Sequence, residues 1–185
     1  MAVTTSYLIP VGDLSLEARL GIRAAVDVKL QEAAQRLKIR DHPDDMVIRD
    51  TLPLTDLTLA ATDDWLIPGP GVAGTALQYF SSLLGIDRCV GFFGVGVETA
   101  LASNSRLSLT QGAASAQIRG VYHLEQLNSR LEPAGYFSET IIFIRQETIR
   151  AMVIPRLAYA ANTERMHLFA RTIEPIGSVI SAPSV

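Results

Sequence analysis

The C-terminal third of the chain, residues 136–177, constrains the fold most, because it holds three apolar runs separated by short polar breaks. β-Branched and aromatic residues dominate these runs, which predicts strands over 139–146, 148–155 and 165–173. Since the connections are short, an antiparallel meander is the simplest predicted assembly. Such a sheet needs a second layer to cover its apolar face.

Alternation within the last two runs predicts which side chains share a face. The faces predicted to be apolar hold Ile149, Ala151 and Val153 in the second run and Met166, Leu168 and Ala170 in the third. His167, Phe169 and Arg171 occupy the opposite face of the third run.

Residues 14–38 are the one long helix candidate. Ser15 is suited to cap this helix, and Glu17 lies in the first turn, where the helix dipole favours an acid. An apolar stripe at helical spacing is predicted to pack on the sheet or on another subunit; it comprises Leu16, Leu20, Ala24, Leu30, Ala34 and Leu37, interrupted by Asp27.

The remaining patterns predict mainly strands, over 46–51, 56–61, 86–98, 103–109 and 113–124, with a helical turn after 124 and a short helix over 75–84. The predicted fold class is therefore α+β and mostly β, a β-sandwich or jelly-roll-like domain with an N-terminal helix. Residues 1–45 form the arm and helix, and residues 46–185 form the β-rich domain. The Pro-Gly-Pro-Gly run at 68–71 is a candidate sub-boundary.

Composition excludes several classes of function. A formal net charge of -3 leaves no electrostatic footprint for nucleic acid. The single cysteine, Cys89, excludes a disulfide within the chain and is interpreted as a small buried hydrophobe. Residues 1–7 lack the pattern of a secretory signal, and no apolar run reaches the roughly 18–20 residues that span a bilayer.

Basic residues are nearly all arginine, since Lys29 and Lys38 are the only lysines among 16 basic residues. Arginine is enriched at protein interfaces, where its planar fork pairs in a fixed geometry. A genome that favours arginine codons would produce the same bias, so both explanations stay open.

No catalytic or cofactor motif is present. Gly94 and Gly96 are followed by Thr99 where a dinucleotide loop needs glycine, so glycines at 91, 94 and 96 are interpreted as sites of a bulge or of close backbone approach. Ser115, His123 and Glu125 can be drawn as a triad, and Glu98 with Glu125 as an acid pair, on residue type alone.

The acidic turn at 41–45, which includes His42, has oxygen ligands that suit Ca²⁺, but its spacing matches no EF-hand loop. A solvated acidic turn is the preferred interpretation. No catalytic, cofactor-binding or metal-ligating residue is assigned.

Two segments carry a resemblance to a known class of proteins. The run LEPAGYFSETI at 131–141 and the run RTIEPIG at 171–177 resemble virion structural proteins of tailed bacteriophages, of the cement or decoration kind that sits on the capsid lattice. The resemblance implies a sandwich or jelly-roll body with an arm, oligomerisation, and binding to the shell by shape. It leaves open another position in the particle, such as a minor capsid or connector component.

The predicted function is therefore a non-enzymatic assembly protein of a phage virion, a homo-oligomer with a trimer favoured, that binds the major capsid protein or another virion protein. The expected localisation is the virion, assembled in the host cytoplasm, and otherwise the cytoplasm. Candidate interface anchors are Trp65, Tyr79, Phe80, Tyr136 and Arg171. The alternative is a small β-sandwich enzyme or ligand-binding protein with a pocket near His123, Glu125 and His167, and a third hypothesis is a fold stabilised by a metal at 41–45.

Overall fold

The computed structural model describes residues 6–39, 45–59, 62, 64–98, 103–112, 117–128 and 130–177. Its strands and helices, in chain order, are β1 (Leu8–Pro10), α1 (Leu16–Arg36), β2 (Met46–Asp50), α2 (Pro53–Leu57), β3 (Leu77–Leu83), β4 (Cys89–Val97), β5 (Asn104–Gln111), β6 (Gln117–His123), β7 (Ala134–Phe143), β8 (Thr148–Pro155) and β9 (Met166–Pro175). Short 3-10 turns span Val11–Asp13 and Leu124–Leu127. The described chain is thus mostly β with one long helix.

The strands form two antiparallel sheets whose order follows from nested pairing. From β2 to β9 the strands pair from the outside inward: β2 with β9, β3 with β8, β4 with β7 and β5 with β6. Further ladders join β4 to β9 and β5 to β8, and β1 adds to the edge of β7. The result is a five-stranded sheet, β1-β7-β4-β9-β2, and a four-stranded sheet, β3-β8-β5-β6. One long hairpin folded over itself in this way is a jelly roll.

The main core lies between the two sheets. Phe80 of the four-stranded sheet stacks on Phe92 of the five-stranded sheet at 6.4 Å between ring centroids, and Tyr122 stacks on Phe137 at 3.8 Å. The predicted inward faces are confirmed, because Ile149, Ala151 and Val153 of β8 and Met166, Leu168 and Ala170 of β9 are all buried.

Helix α1 covers the outer face of the five-stranded sheet. Its N-cap is Ser15 as predicted, since the Ser15 hydroxyl accepts a hydrogen bond from the Ala18 amide at 3.2 Å. Val26, Leu30 and Ala34 form a second buried cluster with sheet residues that include Phe93 and Ile173. The predicted apolar stripe is confirmed from Leu30 onward and is wrong before it. Leu16, Leu20 and Ala24 are exposed, and Val26 packs on the sheet instead.

Glycines on β4 have the role predicted for them. Gly94 follows a register shift in both ladders of β4, and a Cβ there would lie 2.7 Å from the carbonyl oxygen of Gly135. A Cβ at Gly91 would lie 3.2 Å from Val26, so this glycine lets α1 approach the sheet closely.

The predicted meander is wrong. Strands β7 and β9 belong to the five-stranded sheet and β8 to the four-stranded sheet, so each short connection crosses between the layers. Crossing buries an apolar face of β7, β8 and β9 in the common core, which a local three-stranded meander would leave exposed.

Two local predictions are also wrong. Residues 77–83 form β3 rather than a helix. A bulge between Gln78 and Phe80 buries the adjacent side chains of Tyr79 and Phe80. Because the bulge interrupts the alternation of buried and exposed residues, the apolar pattern of this strand resembles that of a helix. The predicted strand at 56–61 is replaced at its start by α2, which begins at Pro53, a residue with the backbone angle that a first helical position needs.

Candidate functional site

A groove of about 680 Å³ opens between the N-terminal half of α1 and the outer face of the five-stranded sheet. We call it the helix–sheet groove. Its lining comes from α1, the segment 50–53, Asp64 and Trp65, Glu98, Tyr136 and β4 and β9. The groove forms because the buried residues of α1 begin at Val26: before it, Ile22 packs only in part against the same cluster, while Leu16 and Leu20 line the groove without filling it.

Aromatic rings form the floor of the groove. Phe93 and Tyr136 stack at 6.0 Å between centroids, and Phe169 lies 5.8 Å from Tyr136. His167 continues this surface by stacking on Trp65 at 5.3 Å and meeting Phe169 edge-on at 5.7 Å. An aromatic floor of this kind supplies large apolar contact area to whatever enters the groove.

Leucines line the rim of the groove on the helix side. Leu16 is 71% exposed and Leu20 is 59% exposed, and they lie four residues apart on one helical face. Leu52, which also lines the groove, is exposed too. Single exposed leucines are ordinary, but three that line one aromatic groove give it an apolar rim of the kind that marks an interaction site.

A network of ion pairs fixes the helix above the groove. Arg171 of β9 donates to both carboxylate oxygens of Asp27 at 2.9 and 3.1 Å, and to Asp50 at 2.9 Å. Arg23 also donates to Asp50. Burial alone would raise the pKa of Asp50, but the hydrogen bond from Arg171 and the charges of both arginines hold that pKa below its ordinary value. Asp50 therefore stays ionised and ties the end of β2 to α1.

The other end of the groove is held more loosely. Arg165 lies 3.7 Å from Asp64 and 3.8 Å from Glu98, and all three side chains are about half exposed. Burial lowers the pKa of His167, an effect that the charges of Glu98 and Asp50 oppose in part, so the neutral imidazole is favoured. The groove thus carries three acids, Asp50, Asp64 and Glu98, against three arginines, Arg19, Arg23 and Arg165.

A second electrostatic feature, the four-charge cluster, consists of Arg49, Asp56, Arg88 and Glu174. Asp56 and Glu174 are buried, and Arg49 binds both, at 2.6 and 2.7 Å to the two oxygens of Asp56 and at 2.7 Å to Glu174. Arg88 closes the ring with contacts of 3.0 Å to Asp56 and 2.6 Å to Glu174.

The four-charge cluster has a structural role. Burial by itself lowers the pKa of Arg49, but its hydrogen bonds to Asp56 and Glu174 raise that pKa above the ordinary value, so it stays charged. The amide of Leu52 also donates to Asp56, at 2.7 Å. The cluster therefore ties α2, β2, β9 and the start of β4 together with no net charge, and no acid in it is left free for catalysis.

The residues of the alternative pocket hypothesis are not brought together on neighbouring strands. His123 ends β6 and Glu125 follows it, both beside the four-stranded sheet, whereas His167 lies on β9 of the other sheet. Only His167 lines the helix–sheet groove. Ser115 of the drawn triad and residues 41–44 of the acidic turn lie outside the described residues. In the part of the chain that is described, no group of three or more His, Cys, Asp or Glu side chains has a metal-binding arrangement.

The candidate anchors divide into core and groove residues. Tyr79 and Phe80 are core residues between the sheets, and the Tyr79 hydroxyl donates to the backbone carbonyls of Trp65 and Met166. Trp65 and Tyr136 line the groove, and Arg171 holds α1 beside it. Cys89 is buried as predicted, and burial raises the pKa of its thiol, which makes it unreactive.

No pattern in the sequence predicted the groove directly. It arises from Phe93, Tyr136 and His167 on three strands that are distant in sequence, and from helix residues that were predicted to be buried. The one available signal was the alternation in β9, which placed His167, Phe169 and Arg171 on a shared face away from the core.

Comparisons with known proteins add no family. A scan against protein-family profiles finds no match, and a search of curated proteins finds no similar sequence. Among the described residues, no helix combines the length and the apolar character needed to cross a membrane.

Proposed function

We propose that this protein is a non-enzymatic assembly protein that works as a homo-oligomer, and that its setting is a bacteriophage particle, as a capsid cement or minor virion protein. The observation that carries the assembly role is the helix–sheet groove, an aromatic hollow with Leu16, Leu20 and Leu52 exposed on its rim. A fold that already has a complete core has no internal use for such a surface, so contact with another polypeptide is the role that accounts for it.

Three further observations support this proposal over an enzymatic one. The jelly roll is an architecture that viral capsid proteins use, although lectins and cupins use it too. Among the described residues, each arginine that lines the groove lies in an ion pair with a neighbouring acid, which favours a structural role for these charges over a catalytic one. The setting in a virion rests on the resemblance of the segments 131–141 and 171–177 to phage structural proteins.

The assembly role is tested by placing charges on the rim. The double variant Leu16→Glu with Leu20→Glu adds two acids where the groove meets its partner, and acids near the start of a helix do not oppose its dipole. Sedimentation velocity should show that this variant dissociates to the monomer. The matched control is Ala25→Glu with Val28→Glu, which adds the same charges at exposed positions of α1 away from the groove and should leave the oligomer intact.

If the rim variant and the control variant both keep the sedimentation coefficient of the wild-type oligomer, the groove is not the assembly surface and the proposal fails.

A further inference from the structure

An apolar turn lies outside the groove, among residues that do not line it. Residues 83–86, between β3 and β4, expose Leu83 at 70% and Ile86 at 61%, while Leu84 between them is buried. Among the described connections that do not line the groove, this one presents two large apolar side chains within four residues.

The apolar turn is held in a fixed shape. The amide of Leu84 donates to the carbonyl of Glu147, and the amide of Gln146 donates back to the carbonyl of Leu84, at 3.0 and 3.2 Å. The Glu147 carboxylate is itself held by the amide of Ile144 at 2.8 Å and by the side chain of Gln111. A preorganised apolar projection loses little conformational entropy when it binds, which favours a role in docking.

The charges of the groove favour an uncharged occupant. Arg23 pairs with Asp50, Arg165 lies between Asp64 and Glu98, and Arg19 pairs with Glu132 at 3.5 Å. A charged guest would have to displace one of these partners, whereas the Leu-Leu-Gly-Ile sequence of the apolar turn carries no charge. A convex apolar turn also fills a concave groove, while two grooves placed face to face would leave both hollows empty.

We propose that the apolar turn of one copy inserts Leu83 and Ile86 into the helix–sheet groove of the next copy. This inference rests on the proposed homo-oligomer and names the surface that meets the groove. The turn precedes Cys89, the first residue of β4, whereas the groove is lined by Phe93 in the middle of that strand and by Glu98 just beyond its end, so the turn and the groove are separate surfaces of one copy. Two different surfaces therefore meet head to tail, which builds a closed ring, such as a trimer, or a filament.

Cysteine cross-linking tests this pairing directly, because the native Cys89 is buried and unreactive. The variants Ile86→Cys and Leu20→Cys are purified separately, mixed, and treated with a short bis-maleimide. The mixture should give a covalent dimer, and neither variant alone should. The control pairs Ile86→Cys with Val28→Cys, an exposed residue of α1 that does not line the groove, and should give none.

A second experiment distinguishes head-to-tail contact from a symmetric one. Leu83→Asp with Ile86→Asp removes the turn contact, and Leu16→Glu with Leu20→Glu removes the groove contact. Each variant alone should be monomeric, while their mixture retains one intact turn and one intact groove and should stop at a dimer, with complete loss of larger species.

Each negative outcome has one meaning. Cross-linking of Leu20→Cys with itself, or an oligomer in which the mixed cysteine variants do not cross-link, overturns the turn-in-groove pairing and leaves the assembly role standing. A wild-type protein that is monomeric at every concentration overturns the homo-oligomeric proposal and this inference with it.

Discussion

Substitution of Asp56 by asparagine is the most severe conservative change that the structure offers. Asp56 is buried, accepts hydrogen bonds from Arg49 and the Leu52 amide, and forms an ion pair with Arg88 at 3.0 Å. Asparagine keeps the size of the side chain and one acceptor oxygen. It replaces the second oxygen by an amide NH₂ that faces guanidinium donors, and it leaves two arginines sharing only Glu174.

The expected cost follows from breaking a buried ion pair. Removing one partner of such a pair typically destabilises a protein by about 3–5 kcal/mol, because the remaining charge loses its compensation. For a chain of this length, each kcal/mol lowers the melting temperature by about 2–4 °C, so Asp56→Asn should melt roughly 6–20 °C below the wild type.

Urea denaturation followed by the fluorescence of Trp65 measures this loss, with an unchanged m-value showing that the transition is the same. The control is Asp64→Asn, which weakens a half-exposed ion pair at 3.7 Å and should cost at most about 1 kcal/mol. Adding Arg49→Met to Asp56→Asn should cost less than the sum of the two single changes, because both remove the same contacts. A loss below about 1 kcal/mol in Asp56→Asn would refute the reasoning that the four-charge cluster holds this end of the sandwich.

Two further predictions concern the backbone and the dependence on pH. Gly94→Ala places a Cβ 2.6 Å from the Phe169 ring and 2.7 Å from the Gly135 carbonyl, and it should lower the free energy of unfolding measured in urea by about 1–3 kcal/mol. Gly21→Ala changes an exposed helical site with open space around it, and it should raise the free energy of unfolding by about 0.5–1 kcal/mol. Equal effects of the two substitutions would contradict the account of the β4 bulge. Because the folded pKa of Asp50 lies below its unfolded value of about 3.9, its contribution to stability is complete above that pH and is lost as the pH falls through the folded pKa. As the pH falls from about 5 to about 2, the free energy of unfolding of Asp50→Asn should therefore decrease less than that of the wild type. Equal decreases in the two proteins would show that the ion pair between Asp50 and Arg171 contributes nothing to stability.

Features set by local chemistry were predictable from the sequence. Ser15 as a cap, the alternation in β8 and β9, and glycines at a bulge each depend on neighbours within a few residues. The mostly β class follows from the same kind of signal.

Strand pairing was not predictable in this way. The short link between β7 and β8 favours a hairpin, yet burial of both inner faces pairs β8 with β3 and β5 instead. Asp56 illustrates the same limit. Its position in an alternating run indicated an exposed strand residue, whereas its partner Arg88, and Glu174 with which it shares that arginine, lie far along the chain. The groove depends on such distant pairings throughout, so its residues could be seen only after the sheets were assembled.

The solution mass of the wild-type protein tests the central claim, that this chain is an assembly protein acting as a homo-oligomer. Light scattering over a dilution series should give a mass that is a multiple of the 20.0 kDa chain and that stays constant over the concentrations at which a closed oligomer persists. A mass of 20.0 kDa at every concentration would contradict the claim.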